Sequence, residues 1–272
     1  MSPTLALPMD LITADTRTVD TRTAPHLEFR DVSVFYGNKK ALDEITLHVP
    51  KNTVLGIVGP ANSGKTTLLK TINRTIDFIT SARVEGEVLL ASEEVRSIRN
   101  VHSLRRRIGM VFPLPVGLPL SVYENVAYAP RRMGIHDRGQ LDEIVERCLR
   151  QSVLWDEVKD RLDLLGTRLS GGQQQRLTLA RALSLGPEIL CLDEFSIAID
   201  PVTTMKIEEV LTGLKEQMTI ILVTNLTQQA RRMADNVAFI NASELVEWGP
   251  TDQMFERPKR EITGRYLNGD FG

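Results

Sequence analysis

One glycine-rich segment has the residue types and spacing needed to hold phosphate groups. Residues 59–66 read Gly-Pro-Ala-Asn-Ser-Gly-Lys-Thr and fit the pattern G-x-x-x-x-G-K-[ST]. Glycines let the backbone curl until several N–H groups point at one anion, and the following helix adds the positive end of its dipole. The pattern assigns Lys65 to the β- and γ-phosphates of a nucleotide and the Thr66 hydroxyl to Mg²⁺. The residues predicted to contact the phosphates are Gly59, Pro60, Ala61, Asn62, Ser63, Gly64, Lys65, Thr66 and Thr67.

A pair of carboxylates follows an apolar run in the second half of the chain. Residues 189–192 read Ile-Leu-Cys-Leu, and Asp193 and Glu194 come directly after them. In phosphate-loop enzymes an aspartate in this place can hold Mg²⁺, and the next glutamate can orient an attacking water. Taken alone, the pair could equally cap a helix N-terminus. Together with the glycine-rich segment it predicts a metal ligand at Asp193 and a catalytic group at Glu194.

The elements around these segments predict an α/β fold. Apolar runs resembling strands occur at 27–58, at 86–90 and again at 189–192, 219–224, 237–240 and 244–247. Helical patterns separate the later runs, and strands that alternate with helices indicate a mainly parallel sheet covered on both faces. Residues 121–185 are mostly helical in pattern, with an apolar stripe at Leu141, Ile144, Val145, Cys148 and Leu149.

Composition narrows the class of protein. The chain has 272 residues, a net charge of −2 and 2 cysteines. The charge argues against a broad nucleic-acid-binding face, and the few cysteines suggest a reducing compartment. No run approaches the roughly 18–20 apolar residues of a membrane span, and no secretory signal is visible. Residues 1–25 lack a sustained period and are expected to form a tail. We therefore expect a cytoplasmic protein without a nucleic-acid partner.

A third segment, residues 169–173, reads Leu-Ser-Gly-Gly-Gln and resembles the signature segment of ABC-type ATPases. Residues 25–272 as a whole are similar to the nucleotide-binding subunit of that family. The resemblance implies a nucleotide-binding domain over 26–272, with a mainly parallel sheet core, an antiparallel β subdomain and an inserted helical subdomain at roughly 113–185. It also implies that two subunits enclose two ATP molecules, each held by the phosphate loop of one subunit and the signature segment of the other. The residues that it adds to the ATP site are Tyr36, stacked on adenine, and Ser170, Gly171, Gly172 and Gln173.

Further segments resemble the ATP-binding subunits of bacterial phosphate importers. They include residues 83–88, 104–112, 121–128, 154–160, 245–251 and 263–266. This resemblance implies a transport-coupled ATPase, peripheral on the inner face of the cell membrane, that works as a homodimer or a heterodimer. Its implied partners are membrane-spanning permease subunits, contacted through segment 113–135, and indirectly an extracytoplasmic solute-binding protein. In this segment Arg131 and Arg132 either touch a partner or are simply solvated.

The sequence departs from the family pattern near the expected γ-phosphate. Pro113 stands where the family has a glutamine, and Asn225 stands where it has a histidine. Asparagine can still donate a hydrogen bond but cannot carry a proton charge. Phe195 and Ile197 replace a proline and a serine, and Asn62 replaces a glycine in a position where asparagine tolerates positive φ. The predicted catalytic residues are therefore Glu194, Lys65 and Asn225, and Pro113 and Asn225 predict a weak or specialised ATPase.

Two other functions are compatible with parts of this pattern. The departures also suit a regulatory nucleotide-binding subunit with weak ATPase activity that pairs with a competent homologue. A DNA-maintenance ATPase of the same fold would carry long heptad repeats or zinc-binding cysteines between the two halves. The sequence has neither of these features.

Overall fold

The computed structural model describes residues 25–270, which form one ten-stranded sheet with helices packed on it. Except for Pro25, which begins the first strand, the predicted tail lies outside the described residues. The strands are β1 Pro25–Tyr36, β2 Lys39–Pro50, β3 Val54–Val58, β4 Ala82–Leu90, β5 Glu93–Glu94, β6 Ile108–Val111, β7 Ile189–Asp193, β8 Thr219–Val223, β9 Asn236–Asn241 and β10 Glu244–Pro250. The helices are α1 Lys65–Ile72, α2 Val101–Arg107, α3 Val122–Arg132, α4 Arg138–Gln151, α5 Trp155–Val158, α6 Gly171–Leu183, α7 Pro201–Leu214, α8 Thr227–Met233, α9 Thr251–Glu256 and α10 Glu261–Leu267.

The sheet has an antiparallel part and a parallel part, in the order β5-β4-β1-β2-β10-β9-β3-β8-β7-β6. Strands β1, β2, β4 and β5 pair antiparallel. The predicted strands 27–29 and 32–35 are one strand, β1, whose pairing register shifts between Phe29 and Val32. Asp31, with φ of 49°, lies at this irregularity, and Gly37, with φ of 58°, makes the predicted turn into β2.

The parallel part consists of β9, β3, β8, β7 and β6. Every residue of β3, β7 and β8 is buried, as expected for strands covered on both faces. Alternate side chains of β3 enter two different apolar clusters, with Val54 and Val58 in one and Leu55 and Ile57 in the other. The predicted fold, a mainly parallel sheet with an antiparallel β region, is therefore confirmed.

Helices α3 to α6 follow one another between β6 and β7. In α4 the predicted stripe faces inward, because Leu141, Val145, Cys148 and Leu149 are all buried. Tyr123 of α3 donates a hydrogen bond of 2.7 Å to Asp142 of α4. The division of the chain into a helical subdomain at 113–185 stays a prediction. Among residues 25–270, no helix has the length and apolarity needed to cross a membrane.

Candidate functional site

The glycine-rich segment connects β3 to α1 and can be built only with glycine at two places. At Gly59, where φ is 153°, a Cβ atom would lie 1.9 Å from the carbonyl oxygen of Ile240. At Gly64, where φ is 110°, a Cβ would lie 2.6 Å from the carbonyl oxygen of Ala41. Asn62 has φ of 62°, the left-handed conformation that its sequence position suggested. The loop is therefore wrapped tightly, as the anion-binding pattern requires.

The side chain of Lys65 is folded back onto this loop. Its Nζ donates hydrogen bonds of 2.8 Å to the carbonyl oxygens of both Gly59 and Pro60, and the residue is only 5% exposed. Burial lowers the pKa of Lys65, while the carboxylates of Glu194 and Asp193 act in the opposite direction. The ammonium is thus held by weak neutral acceptors that an anionic ligand can replace.

Asp193 ends β7 with its carboxylate buried and without a normal hydrogen bond. Both carboxylate oxygens lack a partner, and so does the buried hydroxyl of Ser63 in the loop. Burial raises the pKa of Asp193, and the charge of Glu194 raises it further. The Thr66 hydroxyl and the Lys65 ammonium lower it in part. Buried polar groups without partners are rare in folded proteins. This carboxylate therefore has the environment of a cation ligand.

Glu194 and Asn225 meet because their strands are neighbours in the sheet. Strand β7 pairs with β8, and the backbone N–H of Glu194 donates to the carbonyl oxygen of Val223 at 2.9 Å. Glu194 has φ of 46°. Asn225 follows β8, and its side-chain amide donates a hydrogen bond to Glu194 Oε1. Asn225, which departs from the family pattern, thus directly contacts the predicted catalytic carboxylate of Glu194.

The loop, Glu194 and Asn225 share one cavity of about 420 Å³. Pro113, which stands where the family has a glutamine, also lines the cavity and therefore lies at this site. The Tyr36 hydroxyl lies 3.2 Å from Thr67 Oγ1 on the same cavity. The predicted residues that line the cavity are Tyr36, Ala61, Asn62, Gly64, Lys65, Thr66, Thr67, Glu194 and Asn225.

Sequence reasoning missed three lining residues, Lys39, Ala41 and Ser243. Lys39 and Ala41 lie at the start of β2, after the Gly37-Asn38 turn. The only sequence feature that pointed to them was their closeness to Tyr36 along the chain. Ser243 lies between β9 and β10, more than 170 residues after the phosphate loop. Its φ of 74° marks a turn, but no motif in the sequence marks it for a ligand.

The predicted residues Ser170 to Gln173 lie elsewhere, and within residues 25–270 none of them lines this cavity. They begin α6, where the Ser170 hydroxyl accepts from the Gln173 N–H at 3.3 Å and the Gln173 side chain accepts from the Ser170 N–H at 3.0 Å. Arg176 and Gln173 bind the carboxylate of Glu157, and the Arg176 hydrogen bond is the main cause of its lowered pKa. Ser170 and Gly171 are exposed.

The fold and this loop define a phosphate-loop nucleotide-binding protein, and comparisons with known proteins define the family. A family model described as ABC transporter matches residues 42–196. The chain is 48% identical over 247 residues to phosphate import ATP-binding protein PstB 2 of Bacillus subtilis (strain 168), covering 90% of this chain and 92% of that protein. It is 45% identical to phosphate import ATP-binding protein PstB of Thermotoga maritima, covering 91% and 99%. The chain therefore belongs to the ABC transporter family.

A solved structure agrees with this assignment. It is described as a dimeric, post-hydrolysis state of an ATP-binding cassette bound to ADP and Pi. It superposes with a TM-score of 0.72 at 26% identity, covering 83% of this chain and 98% of that chain. That ATP-binding cassette therefore shares its fold with this chain over 83% of the chain's length.

Proposed function

We propose that the chain is the ATP-binding, energy-coupling subunit of a membrane importer for inorganic phosphate. The observation that carries the ATPase part is the single cavity that joins the phosphate loop to Glu194 and Asn225. The phosphate part is supported by relatives at 48% and 45% identity that are phosphate import ATP-binding proteins. The same relatives do not favour the alternative, a degenerate regulatory subunit.

The cavity suits ATP along its length. Tyr36 offers an aromatic ring for adenine at one side, and its hydroxyl reaches Thr67 at the start of α1. The loop N–H groups and the α1 N-terminus provide the phosphate cradle. Lys65 exchanges the carbonyl oxygens of Gly59 and Pro60 for the β- and γ-phosphates. Because the new acceptors are charged, this exchange strengthens the hydrogen bonds of the ammonium.

Mg²⁺ fits the donor set beside these phosphates. Within residues 25–270 no cluster of three His, Cys, Asp or Glu side chains is available to hold a metal alone. Asp193 supplies buried oxygens without partners, and Thr66 supplies a hydroxyl nearby. Mg²⁺ prefers a few carboxylate or hydroxyl ligands together with phosphate oxygens and waters. When bound, the ion would neutralise phosphate charge, and Thr66 and Asp193 would orient it.

Glu194 is placed to act as the general base. Its carboxylate can accept the proton of a water that attacks the γ-phosphate, while ADP leaves on the opposite side. Asn225 orients this carboxylate through its amide N–H and offers no titratable proton. Pro113 has neither a side-chain oxygen nor an N–H, so it contributes only shape to the cavity wall.

A second ATP-binding chain would complete the site. Ser170 to Gln173 lie outside the cavity in one chain, yet their exposed helix N-terminus suits a phosphate. Supplied by a second chain, whether another copy or a homologue, this segment would cover the γ-phosphate. The related cassette bound to ADP and Pi is a dimer, which supports this arrangement. Closure on ATP and reopening after hydrolysis would then drive the transporter.

The permease subunits would dock beside segment 113–135. A groove of about 480 Å³ lies there, lined by a mixture of apolar, polar and basic residues, namely Asn100, His102, Arg105, Arg106, Tyr128, Ala129, Arg132, Met133 and Leu185. Tyr128 is 50% and Met133 46% exposed. Arg131 is paired with Glu124 on its own helix, which leaves Arg132 as the arginine of the pair that faces the groove. Docking would hold the chain at the inner face of the cell membrane, away from the extracytoplasmic solute-binding protein.

Phosphate uptake tests this proposal. Cells that lack their own phosphate-import ATP-binding subunit would express this chain with its permease subunits, and uptake of radiolabelled phosphate would be measured. We expect the parent chain and Lys51→Ala, an exposed control, to restore uptake, and Lys65→Ala to fail. ATP binding by the purified chain without any restored uptake would contradict phosphate import while leaving the ATPase assignment intact.

A further inference from the structure

A buried hydrogen-bond network joins helices α7 and α8. Glu208 of α7 is buried, and its carboxylate accepts two hydrogen bonds of 2.8 Å from the Arg232 guanidinium of α8. Gln229, a second buried residue of α8, donates from Nε2 to Glu208 Oε1 at 3.0 Å. The same nitrogen donates to Ser196 Oγ at 3.3 Å. The network therefore reaches from two helices to the segment that follows Glu194.

The carboxylate of Glu208 decides which end of the Gln229 amide faces Ser196. A carboxylate only accepts hydrogen bonds, so Gln229 must turn its NH₂ group toward Glu208. The second N–H of that group is then available to Ser196 Oγ, while within residues 25–270 Gln229 Oε1 has no partner. Arg232 donates to both oxygens of Glu208, a bidentate geometry typical of strong charged pairs. The contact between Gln229 and Ser196 is consequently fixed from α7.

This contact joins the two segments that carry the predicted base and its partner. Ser196 lies two residues after Glu194, inside a turn that a backbone hydrogen bond to the Glu194 carbonyl oxygen closes at 3.3 Å. Gln229 lies four residues after Asn225, and its N–H donates to the carbonyl oxygen of Leu226 at 3.0 Å. The two segments are thus connected twice, at the cavity by Asn225 and Glu194 and away from it by Gln229 and Ser196.

Side chains must set the spacing of these segments, because the β ladder between them ends first. The pairing of β7 with β8 ends at Asp193 and Val223. Asn225 is exposed, whereas Gln229 and Ser196 are both buried. A hydrogen bond in the protein interior is electrostatically stronger than one in water. We therefore expect the buried contact to hold the spacing on which the exposed one depends.

We propose that Gln229, oriented by Glu208, is a positioning residue that sets the place of the Asn225 amide against the Glu194 carboxylate. This inference rests on the ATPase part of the proposed function and adds α7 and α8 to the site. Neither the phosphate loop nor the acidic pair has a motif that includes Gln229 or Glu208. Gln229 acts through Asn225, since it does not itself line the cavity.

Two variants break the contact from opposite ends. Gln229→Met keeps the length of the side chain and removes its donors. Gln228→Met is its matched control, because it makes the same change at an exposed position of the same helix. Ser196→Ala removes only the accepting hydroxyl. Its control is Ser184→Ala, at a buried serine whose hydroxyl donates to the carbonyl oxygen of Arg181 at 2.9 Å.

Each variant is measured alone and in combination with Asn225→Ala. The readouts are kcat by phosphate release, the dissociation constant for ATP by nucleotide titration, and the thermal unfolding midpoint. We expect Gln229→Met and Ser196→Ala each to lower kcat by about tenfold with unchanged ATP affinity, because a small displacement of a catalytic contact has a large effect on rate. In the Asn225→Ala background, whose own kcat is lowered, neither should have a further effect, since no amide is left to misplace.

The combination with Asn225→Ala separates positioning from a general structural role. An equal loss of kcat in both backgrounds would overturn the inference, and so would a parental kcat in Asn225→Ala or in Ser196→Ala. If Gln229→Met does not fold, Ser196→Ala decides alone. A parent chain without ATP turnover would contradict the ATPase assignment, and the inference would fall with it. Turnover by the parent that no variant changes would leave the proposed function standing and exclude the role of Gln229.

Discussion

The N-termini of α1 and α6 both contain glycine and hydroxyl residues, but their first backbone N–H groups are capped differently. Helix α1 begins after Gly64, which offers no side chain to cap the first N–H groups. Helix α6 begins after Ser170, whose hydroxyl and whose partner Gln173 cap each other reciprocally. The first helix end opens into a cavity, and the second is exposed, with Ser170 and Gln173 each binding the backbone N–H of the other. Of these two helix ends, the one in the phosphate loop therefore keeps backbone N–H donors without a side-chain cap, where a ligand can bind them.

Under the proposed function, this difference would let the two regions divide the binding of the nucleotide between them. The α1 end requires a ligand to satisfy its donors, so it can select the phosphates by itself. The α6 end is held in place without any ligand, through the capping box and the Arg176–Glu157 ion pair. It is a rigid surface that another chain can use. Changes in the cavity should alter chemistry within one chain, and changes at Ser170 should act across two chains.

The largest expected effect concerns the cavity. Glu194→Gln removes the base and keeps a side chain that can still pair with Asn225. We expect kcat to fall by about 10²–10⁴ while ATP affinity changes little. Phosphate release measures kcat, and nucleotide titration measures affinity. Glu209→Gln, at an exposed glutamate on α7, is the control and should match the parent. A normal kcat in Glu194→Gln would remove this residue from the mechanism.

The second prediction tests the division between the regions directly. Lys65→Ala damages the cavity, and Ser170→Asp keeps a capping residue but places a negative charge where the γ-phosphate would lie. Each variant alone should be nearly inactive. An equimolar mixture forms mixed dimers with one site intact, so activity should recover to up to about a quarter of the parent value.

Hydrolysis by the mixture is compared with the mean of the two separate variants, and native mass spectrometry confirms that mixed dimers form. No recovery in the presence of mixed dimers would mean that one chain supplies both regions of its own site. Lys65→Ala mixed with Lys65→Ala/Ser170→Asp is the control, because none of its dimers contains an intact site.

The third prediction concerns Pro113 and Asn225, the two cavity residues that depart from the family pattern. Pro113→Gln/Asn225→His adds a hydrogen-bonding side chain at position 113 and replaces the Asn225 amide, which already donates to Glu194, with an imidazole that can carry a proton charge. We expect kcat to rise by about 10- to 100-fold, less than the product of two separate donors because they act together. The imidazole should also add a pH dependence near about pH 6.5 that Asn225 cannot give. A double variant no faster than the parent would show that the site is adapted to Pro113 and Asn225.

The cavity and α6 also differ in how far the sequence predicts them. The phosphate loop and the acidic pair are recognisable because their chemistry resides in contiguous residues. Their meeting with Asn225 depends on strands β7 and β8 being neighbours in the sheet, a pairing that the local sequence pattern cannot supply. Lys39, Ala41 and Ser243 were missed because a hairpin and a strand connection bring them to the cavity from other parts of the chain. Such long-range contacts leave no periodic or motif signal.

The smallest expected effect isolates the capping difference itself. Ser170→Ala removes the hydroxyl that accepts the Gln173 N–H and should lower the free energy of unfolding by about 1 kcal/mol. Ser170→Asp can accept the same hydrogen bond, so its stability should equal that of the parent although its turnover is lost. Urea denaturation measures both. If Ser170→Asp were as unstable as Ser170→Ala, the cap would not be what holds the α6 end in place. The loss of activity in Ser170→Asp would then be a folding effect. The contrast with the uncapped end of α1 would no longer explain how the two regions divide the nucleotide site.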